Sequence, residues 1–325
     1  NHSCNQVTRI MAAVETKARG RRAHLAVVGE NQVPKVETKK ERAYPINVFA
    51  IWGPAGSPGK STIAINVASE LALAGEKVLL IDLDTLAPSL ALGMGLVDTP
   101  AGLSACLRLA EQNRLTTDEF NRLTLSIALG RNELRFMSGL SSAHRWPEVT
   151  PERVEKLLAD LQGIVDYVVL DLAQATFYKS NLVHPSSMNS HESNRDTLLR
   201  SVLSKAGKVV LVSGSDPVAA QRFLVARELL NDIDSTLDPF VVLNRFRTGA
   251  LGSRAKDDLE QTYLSLAKLR VDVFIPEDRD NLDRAMLNGL PLALLKRSSP
   301  ARVAIAELAK QLLISSPPSK SVAKL

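Results

Sequence analysis

Cysteine is nearly absent from this chain. Its 325 residues include two, Cys4 and Cys106, and no CxxC spacing. That excludes a disulfide scaffold, a zinc knuckle and a cysteine-ligated cluster, and it suits a reducing, cytoplasmic compartment. No apolar run approaches the ~18 residues of a membrane-spanning helix, and no signal-peptide core precedes a small-residue cleavage site. No internal repeat is visible. Net charge is also lacking once the first 45 residues are set aside. The formal +5 arises there, from nine Lys/Arg against four acids, and the remainder balances at 31 of each sign. Aromatic residues do not interleave with most of those basic charges. The segment therefore reads as a solvated basic linker, and nucleic acid is not the expected partner; peripheral contact with an anionic membrane surface stays open. The chain starts at Asn1 rather than Met, and a missing upstream part, of which this segment is the remnant, is an expectation that leaves the linker reading open.

What is present is a full core, 45% apolar residues, arranged as short aliphatic runs alternating with helical patterns. The runs fall at 48–52, 78–81, 134–137, 167–170, 209–212, 240–243 and 271–275. Between them, Ile63, Val67 and Leu71 recur at i, i+4, i+8, with Gly75 closing that helix. Further helices are predicted at 151–161, 192–205, 217–230, 255–267, 279–288 and 299–313. Continuous aliphatic strands separated by helices predict an α/β fold, a mostly parallel sheet with helices on both faces. The domain spans 46–314. Residues 178–191 read as a polar loop, and the Ser/Pro/Lys-rich residues 315–325 as a disordered tail.

The first strand empties into Gly53-Pro54-Ala55-Gly56-Ser57-Pro58-Gly59-Lys60-Ser61-Thr62. A strand, a Gly/Pro turn and a Gly-Lys-Ser-Thr helix start bring backbone N–H groups, a helix N-terminus and a lysine to one point, which is a cradle for polyphosphate. Gly56, Ser57, Gly59, Lys60, Ser61 and Thr62 are its candidate nucleotide-binding residues. Lys60 is placed to neutralise β/γ-phosphate oxygens, and Ser61 to offer a hydroxyl to Mg²⁺. The strict P-loop pattern asks for glycine five places before Gly59, where this chain has Pro54; Pro58 also removes one N–H donor.

The other runs end in polar residues too: Asp82-Leu83-Asp84, Asp171, Ser213 and Asn244. In an open parallel sheet the ligand sits beyond the carboxyl ends of the strands, so these groups converge on the phosphate loop. Asp171 suits the outer shell of Mg²⁺. Asp84 suits orienting an attacking water or approaching the metal, so Asp84 and Lys60 are the candidate catalytic residues and Ser61, Asp171 and Asp84 the candidate metal residues. Asp82 reads as a strand-end carboxylate paired locally, in competition for the metal-side role. The Asn244 amide matches the donor–acceptor edge of adenine, and Pro276 can wall the base.

With these residues the chain resembles the MinD/ParA superfamily of deviant-Walker P-loop ATPases, in a branch near the CpaE and FlhG types. The resemblance covers about residues 46–314. It rests on the P-loop and on Val78-Leu79-Leu80-Ile81-Asp82-Leu83-Asp84, Asp166-Tyr167-Val168-Val169-Leu170-Asp171 and Val242-Leu243-Asn244-Arg245. It also rests on Ile275-Pro276-Glu277-Asp278 followed by Ala285, Asn288, Gly289 and Pro291. It implies ATP and Mg²⁺ as ligands, Asp84 as the switch aspartate, Asp171 as the Walker B residue, and Asn244 and Pro276 framing adenine. The superfamily's signature lysine would stand at position 55, which is Ala55 here. That departure bears on lysine-assisted dimerisation and on hydrolysis.

Two functions follow. One is an ATP-dependent switch, a slow ATPase that forms homodimers and acts with a protein partner in division, partitioning or placement of a pilus, flagellum or secretion apparatus. The other is a nucleotide-binding scaffold with little or no hydrolysis. A DNA-binding partition protein ranks third, because the ATPase body carries no net charge.

Overall fold

The computed structural model describes residues 43–175, 190–248, 252 and 254–316. The basic segment up to residue 42, positions 178–189 of the polar loop and tail residues 317–325 lie outside the described residues. Among the described residues eight strands form one sheet: β1 (Asn47–Trp52), β2 (Val78–Leu83), β3 (Leu125–Leu129), β4 (Asn132–Met137), β5 (Tyr167–Leu172), β6 (Lys208–Gly214), β7 (Phe240–Phe246) and β8 (Val273–Pro276). Their order is β3-β4-β2-β5-β1-β6-β7-β8. Every neighbouring pair is parallel except β3 with β4.

Side-chain alternation divides the aliphatic runs between two cores. Val48, Ala50 and Trp52 face one, and Phe49 and Ile51 face the other. Both faces of a central strand are thus withdrawn from water, which is why the runs read as continuous rather than alternating. The helices that cover them are α1 (Lys60–Leu73), α2 (Leu90–Gly93), α3 (Gly102–Glu111), α4 (Thr117–Leu123), α5 (Pro151–Asp160), α6 (Ser190–Lys205), α7 (Pro217–Ile233), α8 (Ala255–Ala267), α9 (Arg279–Leu287), α10 (Leu292–Leu295) and α11 (Pro300–Ile314). Helices α3 to α8 pack on the Val48 face; α1 and α9 to α11 pack on the Phe49 face.

Each predicted aliphatic run lies in or overlaps a strand. Sequence reasoning missed β3, an amphipathic edge strand too short to show a run, joined to β4 by the two-residue turn Gly130-Arg131. It also missed α3, although Leu103, Cys106, Leu107 and Ala110 carry the i, i+3, i+4, i+7 spacing of a buried helix face. At the other end, α6 begins at Ser190, inside the stretch read as a loop. Packing begins at Tyr44, which is buried and whose N–H donates to the Lys205 carbonyl at 3.3 Å. That residue lies within the segment read as linker.

Helix α1 is the element that positions the phosphate loop, and it is held unusually firmly. Residues 63–72 are all buried between the sheet and α11. Asn66, itself buried, donates to the Thr62 carbonyl at 2.8 Å and accepts from the Leu292 N–H at 2.8 Å. One turn on, Glu70 meets the Arg302 guanidinium of α11 at 2.7 and 3.1 Å, with the Glu70 side chain 8% exposed. A two-toothed pair at such burial fixes orientation, and breaking it leaves a charge without a partner.

Arg302→Leu is therefore expected to destabilise the protein by about 3 kcal/mol in urea unfolding. Arg122→Leu, which breaks the exposed Arg122–Glu119 pair at 2.5 Å, should shift it by less than about 0.5 kcal/mol. Equal effects would show that the α1–α11 ion pair does not hold the helix.

Candidate functional site

Strand β1 runs into the loop and α1 opens at Lys60, with Gly59 as N-cap at φ 95°. Among the described residues no side chain caps this helix, so its first N–H groups face an open end, and their dipoles favour an anion there. Left-handed backbone at Gly56 (φ 102°), Ser57 (φ 52°) and Gly59 curls the loop. Behind it stands Asn244, 4% exposed, at the end of β7. Its Nδ2 donates to the Pro58 carbonyl at 2.8 Å, and a Cβ at Gly59 would collide with the same amide. The amide that sequence reasoning assigned to adenine is thus in contact with the phosphate loop itself.

The carboxylates come together by strand register. Ile51 of β1 pairs with Asp171 of β5, and Asp171 pairs with Asp82 of β2. Asp82 is 2% exposed, yet its Oδ1 accepts from the Asp84 N–H (3.2 Å) and its Oδ2 from the N–H groups of Ser89 and Leu90 (2.9 Å each). Burial pushes its carboxyl up to about 6, those N–H donors opposing and the Asp84 charge adding to the rise. Asp82 is therefore built into the loop 84–90, in line with the local pairing expected of it. Asp171 differs. It is 1% exposed, and among the described residues neither oxygen has a hydrogen-bond partner at ordinary geometry. Burial pushes it up to about 7; the nearby Ser61 hydroxyl pulls it back, the charges of Asp82 and Asp84 raise it further, and the Lys60 charge lowers it.

Lys60 completes the cluster. Burial lowers its ammonium from the ordinary lysine value, and the charges of Asp171 and Asp84 oppose that shift. Asp84 is half-buried, its Oδ1 accepting from the N–H groups of Leu86 (2.8 Å) and Ala87 (2.9 Å). The loop it organises carries Ser89, whose hydroxyl donates to the Ser61 hydroxyl at 3.4 Å. Lys60, Ser61, Asp84 and Asp171 thus share one site, as the strand ends suggested. Ser89 is a neighbour that sequence reasoning missed, since only the Asp82 contacts fold it back onto α1. Thr62 continues α1 one residue beyond Ser61, and Pro276 ends β8 opposite Phe246, at the same edge as Asn244.

A cleft of about 230 Å³ flanks the loop on its β6–β7 side. It is lined by residues of the loop itself and by Ser215, Asp216, Arg222, Arg245, Arg247 and Glu277, among others. Arg247 pairs with Glu277 at 3.5 Å.

The donor set fits a hydrated divalent cation held against a phosphate. Among the described residues no group of three or more His, Cys, Asp or Glu is placed to hold a metal alone. Mg²⁺ does not need one: it keeps several waters and takes one or two carboxylates together with phosphate oxygens. A buried carboxylate beside a hydroxyl and a lysine, with no ordinary hydrogen-bond partner among the described residues, answers that requirement.

A family model described as the CobQ/CobB/MinD/ParA nucleotide binding domain matches residues 49–292. An uncharacterised ATP-binding protein of Methanocaldococcus jannaschii is 24% identical over 272 residues, covering 82% of this chain and 87% of its own. Among solved structures, a ParA family ATPase from Chlorobium tepidum superposes with a TM-score of 0.64 at 19% identity, over 81% of this chain and 98% of its own. The septum site-determining protein MinD of Pyrococcus horikoshii, complexed with Mg-ADP, superposes with a TM-score of 0.59 at 17% identity, over 82% and 96%. Among the described residues no helix is long and apolar enough to cross a membrane.

The Asp171 environment makes a stability prediction for the ligand-free protein in EDTA. Its carboxyl titrates near 3.8 when unfolded and about 7 when folded, so between these values the folded protein binds the extra proton. Its contribution is fully present below about pH 4 and is lost as pH rises through 7. Asp171→Asn should therefore stabilise the ligand-free protein at pH 8, on the order of 4 kcal/mol, and do little at pH 4. Urea midpoints that change equally at both pH values would contradict the assignment.

Proposed function

The chain belongs to the CobQ/CobB/MinD/ParA nucleotide-binding domain family, and from that premise we propose that it is an ATP-binding switch that hydrolyses ATP slowly in the presence of Mg²⁺. The observation that carries this reading is the buried Asp171 carboxylate, without an ordinary hydrogen-bond partner among the described residues, set beside Lys60 and Ser61 at the mouth of the phosphate loop. A buried charge without a partner is costly, and a cation is what relieves it. Mg²⁺, when bound, would neutralise phosphate charge; Ser61 and Asp171 would hold it, with Asp84 alongside.

The chain's own residues divide the remaining work. Lys60 and the open N-terminus of α1 draw the phosphates in, and Gly56, Ser57, Gly59 and Thr62 shape the surrounding backbone. Asp84, its Oδ1 fixed by two loop N–H groups, orients a water through Oδ2. The base lies towards Asn244 and Pro276. Because loop 84–90 touches α1 through Ser89 and Ser61, a change at the phosphates can pass to α2 and so to the surface. In this reading the chain forms a homodimer and acts with a protein partner in division, partitioning or the placement of a pilus, flagellum or secretion apparatus. The Pyrococcus MinD with Mg-ADP supports the ligand. A scaffold with little or no hydrolysis is the second reading, favoured by Pro54, Ala55 and Pro58 in the loop.

ATP-Mg²⁺ at ~100 times Kd should raise stability by about 2.7 kcal/mol, read as a higher melting temperature. Lys60→Ala should abolish most of that shift. Asp84→Ala should keep the shift and lose turnover by roughly a hundredfold, as expected when one transition-state group is removed. No shift at millimolar ATP-Mg²⁺ would sink the nucleotide reading; a normal shift with no measurable turnover in the wild type would favour the scaffold.

A further inference from the structure

Arg222 is placed where the phosphate loop is poorest. Pro54 and Pro58 lack N–H groups and Ala55 brings no charge, so this stretch of the loop offers few donors. Arg222, 167 positions away in sequence, reaches it from α7. The helix is set rigidly: Asp216 caps it, its Oδ1 accepting from the N–H groups of Val218 and Ala219 at 3.0 Å, and Pro217 starts it. That places Arg222 in the second turn with its side chain across the loop. Its Nη1 donates to the Ala55 carbonyl at 3.4 Å, and a Cβ at Gly56 would collide with the guanidinium. Glycine at 56 thus serves the arginine as well as the backbone turn.

The surrounding charges leave this guanidinium available. The cleft it lines holds three arginines against two acids. Glu277 is paired with Arg247, and one Asp216 oxygen is engaged as the helix cap. Among the described residues the hydrogen bond of Arg222 is the long one to Ala55, which satisfies one of five N–H donors. An exposed arginine held against a phosphate-binding loop by a single long contact is poised to exchange it for an anion, since charge-assisted bonds to phosphate are shorter and stronger.

We propose that Arg222 is a phosphate-binding residue of the nucleotide site, a cation supplied in cis by α7 to the donor-poor half of the loop. The proposal rests on the ATP reading above and adds a residue to it. Its functional consequence is coupling: an anion that takes the guanidinium from Ala55 acts on the first turns of α7, whose Val218 is exposed on the surface.

The test is a titration of the full chain with ATP-Mg²⁺ by calorimetry, for wild type, Arg222→Ala, Arg222→Gln, Arg222→Lys and Lys60→Ala. Melting of each ligand-free protein is recorded alongside. Arg222→Ala and Arg222→Gln should weaken binding roughly tenfold or more, with ligand-free melting unchanged. Arg222→Lys, which keeps the charge, should recover a large part of the affinity. Wild-type affinity should also fall more steeply with added salt than that of Arg222→Ala. Wild-type affinity in Arg222→Ala, beside lost binding in Lys60→Ala, would overturn the proposal and leave the ATP reading standing. Equal loss in all three Arg222 variants with a lowered ligand-free melting temperature would also overturn it, by making Arg222 a structural prop. No binding by the wild type would remove the ATP reading and the proposal together.

Discussion

Two carboxylates buried side by side are the constraint around which this edge of the molecule is arranged. Asp82 and Asp171 are register partners on β2 and β5, both almost wholly out of water, and the Asp82 charge raises the affinity of Asp171 for a proton or a cation. The fold resolves the two differently. Three backbone N–H groups satisfy Asp82 and in doing so fold loop 84–90 back towards α1. Among the described residues Asp171 receives no such donors, and it faces Lys60 and Ser61. One acid therefore builds the loop and the other is left to need a cation.

The phosphate loop itself is a composite. Its own residues provide the curl and the open helix end, while Asn244 from β7 and Arg222 from α7 press on it from behind and beside. Prolines at 54 and 58 make it stiffer and poorer in donors than an all-glycine turn would be. Anchoring of α1 through Asn66, Glu70 and Arg302 then fixes Lys60 and Ser61 relative to Asp171. Precision at the site is thus inherited from the α1–α11 packing on the opposite side of the helix.

The two cores explain why the rest of the chain is tolerant of variation. Most strand residues contribute to one face or the other, so the sheet is specified many times over. The carboxyl edge, by contrast, depends on single side chains. Relatives under 25% identical share the architecture, as expected where hydrophobicity and volume alone maintain a core.

The sheet, its parallel character, the helices on both faces and the edge at which polar groups gather were legible in the sequence. Those features follow from local periodicity and from where aliphatic runs stop, as at Asp84, Asp171 and Asn244. The amphipathic strand β3 escaped notice because five alternating residues look like a loop until a neighbour pairs with them; α3 carried its signal and could have been read. Residue types also announced the phosphate loop, since Gly-Lys-Ser after a buried strand has a local physical meaning. Which carboxylate is satisfied and which is not, that Asn244 braces Pro58, and that Arg222 lies on Ala55 belong to tertiary structure alone. Each depends on strand register or helix placement between positions about 90 to 190 residues apart, and no local pattern encodes a distance through space.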